Sequence, residues 1–174
     1  MRLSGMRKFY LLALAALALP AAASAQSASG SIQARARVLG AITVSPVTTL
    51  DFGDFLSAGA TKTVAPTDAT SGEFAVAGDP GAQLLLTFDF PATLDNGLNQ
   101  ITLGASAWNV NVGATRAGSA SLIAGGSDGA NANSFLSAGG SLGVFVGGEA
   151  TAAAGLPAGV YTGTVGLTAA YTGL

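Results

Sequence analysis

From Ala28 to Val38 small or apolar residues take every even position and polar residues every odd one. Ala28, Gly30, Ile32, Ala34, Ala36 and Val38 thus alternate with Ser29, Ser31, Gln33, Arg35 and Arg37. Successive side chains of an extended strand point to opposite faces, so the run predicts a strand with one apolar face. It precedes every other patterned segment downstream of the leader-like residues. Two owners are open to such a strand: its own sheet, where it would be a first edge strand with one wet face, or the groove of a neighbouring molecule.

Short alternating runs continue along the chain. Ala41 to Ser45 extends the opening strand, and Pro46 interrupts its ladder or marks an edge or bulge. Leu50 to Gly53, Lys62 to Ala65 and Glu73 to Ala77 read as further strands. Asp79-Pro80-Gly81 predicts a type II turn, because proline fixes its own φ and glycine accepts a positive one. Gln83 to Phe90 returns as a partner, and Asp95-Asn96-Gly97 is a second turn signal. Ile101 to Leu103 and Ala107 to Val112 follow, with Trp108, Val110 and Val112 sharing a face. Between Gly113 and Gly140 the pattern weakens, and long loops around a short strand at Leu122-Ile123 are expected. Leu142 to Val146 restores order, and Val160 to Tyr171 is the clearest strand, with Tyr161, Val165, Leu167, Ala169 and Tyr171 alternating with small or polar residues. Many short strands with turn signals between them, and no helix after the leader, predict an all-β fold. An antiparallel, immunoglobulin-like two-sheet sandwich is favoured over a closed barrel.

The first 25 residues read as a secretory signal: Arg2, Arg7 and Lys8, then the apolar run Phe9 to Leu19, then Ala23-Ser24-Ala25 as a small-x-small cleavage site. The apolar run is short for a bilayer span, so cleavage before Gln26 is expected, with no membrane span in the mature chain. The expected organisation is a signal peptide at 1–25, an N-terminal strand or extension at 26–40 and a sandwich domain at 41–174. About 150 residues suffice for one domain with a real core. Export is expected from the signal, with the periplasm and then the cell surface or the exterior as the expected destination.

Composition then removes whole classes of chemistry. The chain has no cysteine and no histidine, which excludes disulfides, thiolate zinc sites, histidine metal clusters and the Ser-His-Asp and Cys-His triads. Beyond the signal only Arg35, Arg37, Lys62 and Arg116 stand against nine acids, a balance that disfavours nucleic acid as a partner. The carboxylates Asp51, Asp54, Asp89 and Asp95 are the ones a histidine-free hydrolase would use, although acids at strand ends are more often solvated turn residues. Ser127 to Asn133 is oxygen-rich like a calcium loop but lacks the alternating acids and final glutamate of an EF-hand. Trp108 could stack on a sugar, yet its alternation with Val110 and Val112 suits a core position better. No catalytic residue, metal ligand or cofactor site is assigned.

Phe145-Val-Gly-Gly148, Pro157-Ala-Gly-Val-Tyr-Thr-Gly-Thr-Val165, the terminal Tyr171, Leu50-Asp-Phe-Gly53 and Phe74-Ala-Val-Ala-Gly-Asp-Pro-Gly81 together resemble the bacterial domain-of-unknown-function family 4402. More distantly the chain is similar to spore coat protein U and to pilin-like domains of chaperone–usher systems, from which it departs in lacking cysteines. The pilin resemblance implies an incomplete sandwich whose apolar groove takes a periplasmic chaperone strand and then the N-terminal extension of the next subunit, under the control of an outer-membrane usher. On that reading the donor face is Ala28, Gly30, Ile32, Ala34, Ala36 and Val38. The groove wall is then Tyr161, Val165, Leu167, Ala169 and Tyr171. The chain would be a structural, non-enzymatic subunit of a pilus or surface polymer. The alternative is a self-contained secreted or periplasmic module binding carbohydrate or a surface, and a carboxylate hydrolase stands behind both.

Overall fold

The computed structural model describes residues 27–55, 59–104 and 108–172; the predicted signal peptide lies outside the described residues. The chain divides between Arg37 and Val38. From Val38 onward it is all-β, with eleven strands, every ladder antiparallel, and no helix among the described residues. The strands are β1 (Thr43–Thr48), β2 (Thr61–Val64), β3 (Gly72–Ala77), β4 (Gln83–Asp89), β5 (Thr93–Asp95) and β6 (Gln100–Leu103), then β7 (Trp108–Gly113), β8 (Ala120–Gly126), β9 (Asn131–Phe135), β10 (Ser141–Thr151) and β11 (Gly166–Tyr171).

Eight of these strands form one sheet and β11, β4 and β9 form a second, in a curled sandwich. The spine of the larger sheet is β10. Its first half lies between β3 and β7, and its second half between β2 and β6. The change of partners falls at Gly147-Gly148, and the reason is steric. A Cβ on Gly147 would collide with the backbone of Val64 and Ala65, and one on Gly148 would stand 3.0 Å from the Trp108 ring. Only a strand without side chains there can pass that close to its neighbours.

Alternation explains the core. Leu84, Leu86 and Phe88 of β4 face Val144 and Val146 of β10 and Val110 of β7, all of them almost completely buried. Phe90 continues that row and stacks between Phe88 and Trp108, with ring centroids at 5.4 Å and 4.6 Å. Trp108 is therefore a core residue, as its alternation indicates. Phe145 points to the other face of β10 and is also buried, beneath the guanidinium of Arg116 at 5.6 Å. Arg116 in turn donates to Ser71 Oγ, to the Ser71 carbonyl and to Glu73 Oε2, clamping its own loop onto the start of β3.

The turn at Asp79-Pro80-Gly81 forms as expected: Gly81 has φ of 69° and Ala82 N donates to the Asp79 carbonyl. Pro46 does mark an edge and an irregularity, since β1 pairs only with β3 and its register shifts between Pro46 and Thr48. Four expectations need correction. Residues 28–38 form no strand, and neither do residues 50–53. Alternation specifies faces but supplies no ladder partner, and Phe52 is buried from a loop. The weakly patterned stretch 113–140 contains two strands, β8 and β9, because small and polar residues suffice at positions whose ladders are held by β7 and β4. The last strand is shorter than its pattern: β11 begins at Gly166, and residues 160–165 touch a ladder only through a bridge from Thr162 to Asp95.

Candidate functional site: a cleft between two sheet edges

The two sheets meet differently along their two sides. On one side β8 passes through the turn 127–130 directly into β9, so the chain itself crosses from sheet to sheet. Gly129 N donates to the Phe88 carbonyl, Phe88 N to the Ala130 carbonyl and Phe90 N to Asp128 Oδ1, which seals that side. The oxygen-rich run at 127–133 is thereby accounted for as a turn. On the other side lie β1, laddered only to β3, and β11, laddered only to β4; no ladder joins them among the described residues.

Register fixes their polarity. Thr43 pairs with Ala77 and Tyr171 with Leu84, so the start of β1 and the end of β11 share the pole occupied by the β3–β4 turn. That pole is tied: Gly40 N donates to Asp79 Oδ2, and Asp79 N to the Tyr171 hydroxyl. Thr48 and Gly166 lie at the opposite pole, opposite Glu73 and Asp89. There the two edges open into a cleft of about 1470 Å³. One wall is the chain from Pro46 to Phe55, the other is residues 155–165, and Phe74, Leu94, Ile101, Trp108 and Val146 contribute apolar surface between them.

Each wall has its own fastening. Thr162 and Asp95 exchange backbone hydrogen bonds, and the Tyr161 hydroxyl donates to the Pro157 carbonyl. On the β1 side, Asp51 N donates to the Thr70 carbonyl and Asp51 Oδ1 accepts from Gly53 N at 2.7 Å. Three carboxylates border the cleft, Asp51, Asp54 and Glu73, and no lysine or arginine does among its described lining residues. Glu73 is held by Arg116 at 2.9 Å.

No protein-family model and no curated protein matches this chain. The geometry alone therefore ranks the residues. Of the expected groove wall, Tyr161 and Val165 line the cleft, whereas Leu167, Ala169 and Tyr171 are half-buried against the core on β11 and do not line it. Sequence reasoning missed the opposite wall, from Val47 to Phe55, and the surface given by Leu94 and Ile101. Their signal was present in Phe52 and Phe55 beside glycine and acids, but that pattern also suits an ordinary buried strand end. The expected donor residues Ala28, Gly30, Ile32, Ala34, Ala36 and Val38 are all exposed, Ile32 at 96% and Val38 at 94%. Of the four acids named for hydrolysis, only Asp51 and Asp54 border the cleft. Asp95 caps its own turn through Gly97 N, and Asp89 is exposed beside Gly166.

Proposed function

We propose that the chain is an exported structural subunit of a pilus or surface polymer, assembled by donation of residues 28–38 into the cleft of the next copy. The observation that carries the reading is a pair of complementary deficits. The end of β1 and the segment leading into β11, which share no ladder, flank a cleft to which Phe74, Leu94 and Ile101 contribute apolar surface, and an alternating segment of the same chain has a buriable face and no strand of its own. An edge strand with unpaired backbone groups is a template for another strand, and here such addition would be head-to-tail and non-closing.

Polarity supports it further. Val38 to Gly40 enter the sandwich at the pole tied by Asp79, while the cleft opens at the other, so the point where the donor segment joins the sandwich lies at the opposite end from the cleft. Burying Ile32 and Val38 would contribute about 1.5–3 kcal/mol each. The alanines and glycine add little, so main-chain hydrogen bonds to the end of β1 and to the segment leading into β11 must carry the remainder. A periplasmic chaperone that fills the cleft with a strand of its own, and an usher that exchanges it, complete the scheme implied by the pilin resemblance.

Deletion of Gln26 to Leu39 tests the reading. Heat-resistant multimers should be lost on unboiled gels while capture by the periplasmic chaperone persists. Multimers that survive the deletion would refute strand donation and leave the self-contained binding module as the better account.

A further inference from the structure

We infer that successive subunits also meet body to body, with Phe135 of one copy packed on a lip formed by Leu98 and Val160 beside the next copy's cleft. This rests on the strand-donation reading and adds to it the surface that holds the partner, a second copy of this chain, once its strand is seated.

The exposed apolar side chains lie at the two ends of the sandwich. Six large ones are exposed among the described residues: Ile32, Val38, Val47, Leu98, Phe135 and Val160. Scattered singly they would need no account, but they are not scattered. Ile32 and Val38 belong to the donor segment, and Val47 and Val160 line the cleft. Leu98 is 93% exposed in the turn between β5 and β6. That turn sits beside the loop carrying Val160, since Asp95 and Thr162 exchange backbone hydrogen bonds and a Cβ on Gly159 would stand 3.4 Å from Asn96 Nδ2. Phe135 is 60% exposed at the opposite end, where it closes β9 and pairs with Gln83 directly after the turn 79–82. Gly81 N donates to the Ser137 carbonyl and Leu136 N to the Ala82 carbonyl, so the end of β9 belongs to the pole where Gly40 is tied to Asp79.

Chain length brings these two ends together. Only Leu39 stands between Val38 and Gly40, and Gly40 N is fastened to Asp79 of its own body. Two residues of extended chain span at most about 7 Å. Burying Val38 in a neighbour's cleft therefore draws the donor's Asp79 pole onto the mouth of that cleft. The surfaces that meet there suit burial. Residues 80–82 and 135–141 at one end, and 96–99 and 155–160 at the other, carry no charge. Charged residues are depleted at the centres of protein interfaces, where aromatic ones are enriched. Ser137 to Gly140 are all small, so the bodies can approach closely with the Phe135 ring projecting beside them.

Two measurements separate this contact from donation. Multimers of the mature chain are isolated by size exclusion and challenged with sub-denaturing urea, and their dissociation is followed by light scattering. In parallel, fluorescein-tagged peptide 26–39 is titrated into the monomeric fraction and followed by anisotropy. Phe135 is remote from the cleft, so the Phe135→Ser chain should bind the peptide as the wild type does. Its multimers should nevertheless dissociate about tenfold faster, because loss of an interface anchor is expressed in the off-rate. Leu98→Ser, in an exposed turn that does not line the cleft, should do the same. The double variant should lose little more than either single one, since both changes remove one contact. If Phe135→Ser does not fold, Leu98→Ser alone decides. Unchanged dissociation in the single variants, or effects that multiply in the double one, would overturn the body contact while donation stands. No binding of the peptide to the wild-type chain would overturn both.

Discussion

The two sides of this sandwich solve one problem in opposite ways. Where β8 runs into β9, the turn 127–130 crosses from sheet to sheet and places Asp128 and Ala130 against the backbone of β4. Where β1 faces β11, no turn joins the two edge strands directly, and the pole away from Asp79 opens into the cleft. A side closed by covalent continuity needs no partner. A side bounded by two strand edges exposes unpaired backbone groups, and it is there that the proposed strand would add. Stability and assembly should accordingly respond to mutation on different sides of the molecule.

The largest expected effect lies in the core under the closed side. Phe88 is fully buried and stacks on Phe90, which stacks on Trp108. Phe88→Ala removes a ring from the middle of that row and should destabilise the domain by about 3–5 kcal/mol. Urea unfolding followed by Trp108 fluorescence measures this. A loss under 1 kcal/mol would mean that the core does not depend on the row.

A middle effect is expected at the turn that makes the closure. Asp128 Oδ1 accepts from Phe90 N at 3.1 Å. Asp128→Ala leaves that part-buried donor without its partner and should cost about 1–2 kcal/mol. Asp128→Asn keeps an acceptor oxygen and should recover most of the loss. Equal destabilisation by both would show that charge, not the hydrogen bond, is what the turn requires.

The same contrast explains what could be read from the chain beforehand. Strands whose alternation coincides with burial on one face, such as β4 with Leu84, Leu86 and Phe88, are legible because pattern and environment agree. β8 and β9 are not, since Ala120 to Gly126 and Asn131 to Phe135 place few large residues inward and owe their conformation to the ladders of β7 and β4. Residues 160–165 show the converse. Their alternation continues that of β11, but Gly163 packs close to Leu94 and the Thr93 carbonyl, and the segment pairs only through Thr162. A cleft is harder still to foresee, because its walls at 46–55 and 155–165 are distant in sequence and meet only through the registers of β1 and β11. Of the five residues expected as a wall, Tyr161 and Val165 therefore line the cleft, and Leu167, Ala169 and Tyr171 lie beyond it on β11.

The smallest stability effect should come from the open side, and it sharpens the comparison most. Val47 lies on β1 within the register shift after Pro46, lines the cleft and is 57% exposed. Little of it is removed from water when the isolated chain folds, so Val47→Ser should change the unfolding free energy by no more than about 0.5 kcal/mol. A strand seated along β1 would cover that side chain, and the substitution should then weaken binding of a fluorescein-tagged peptide 26–39, followed by anisotropy, severalfold. Separation of the two readouts is the outcome required: stability unmoved, binding reduced. Were Val47→Ser to lower stability as much as Asp128→Ala does, the β1 edge would belong to the domain's own core, and the distinction between a closed and an open side would fail.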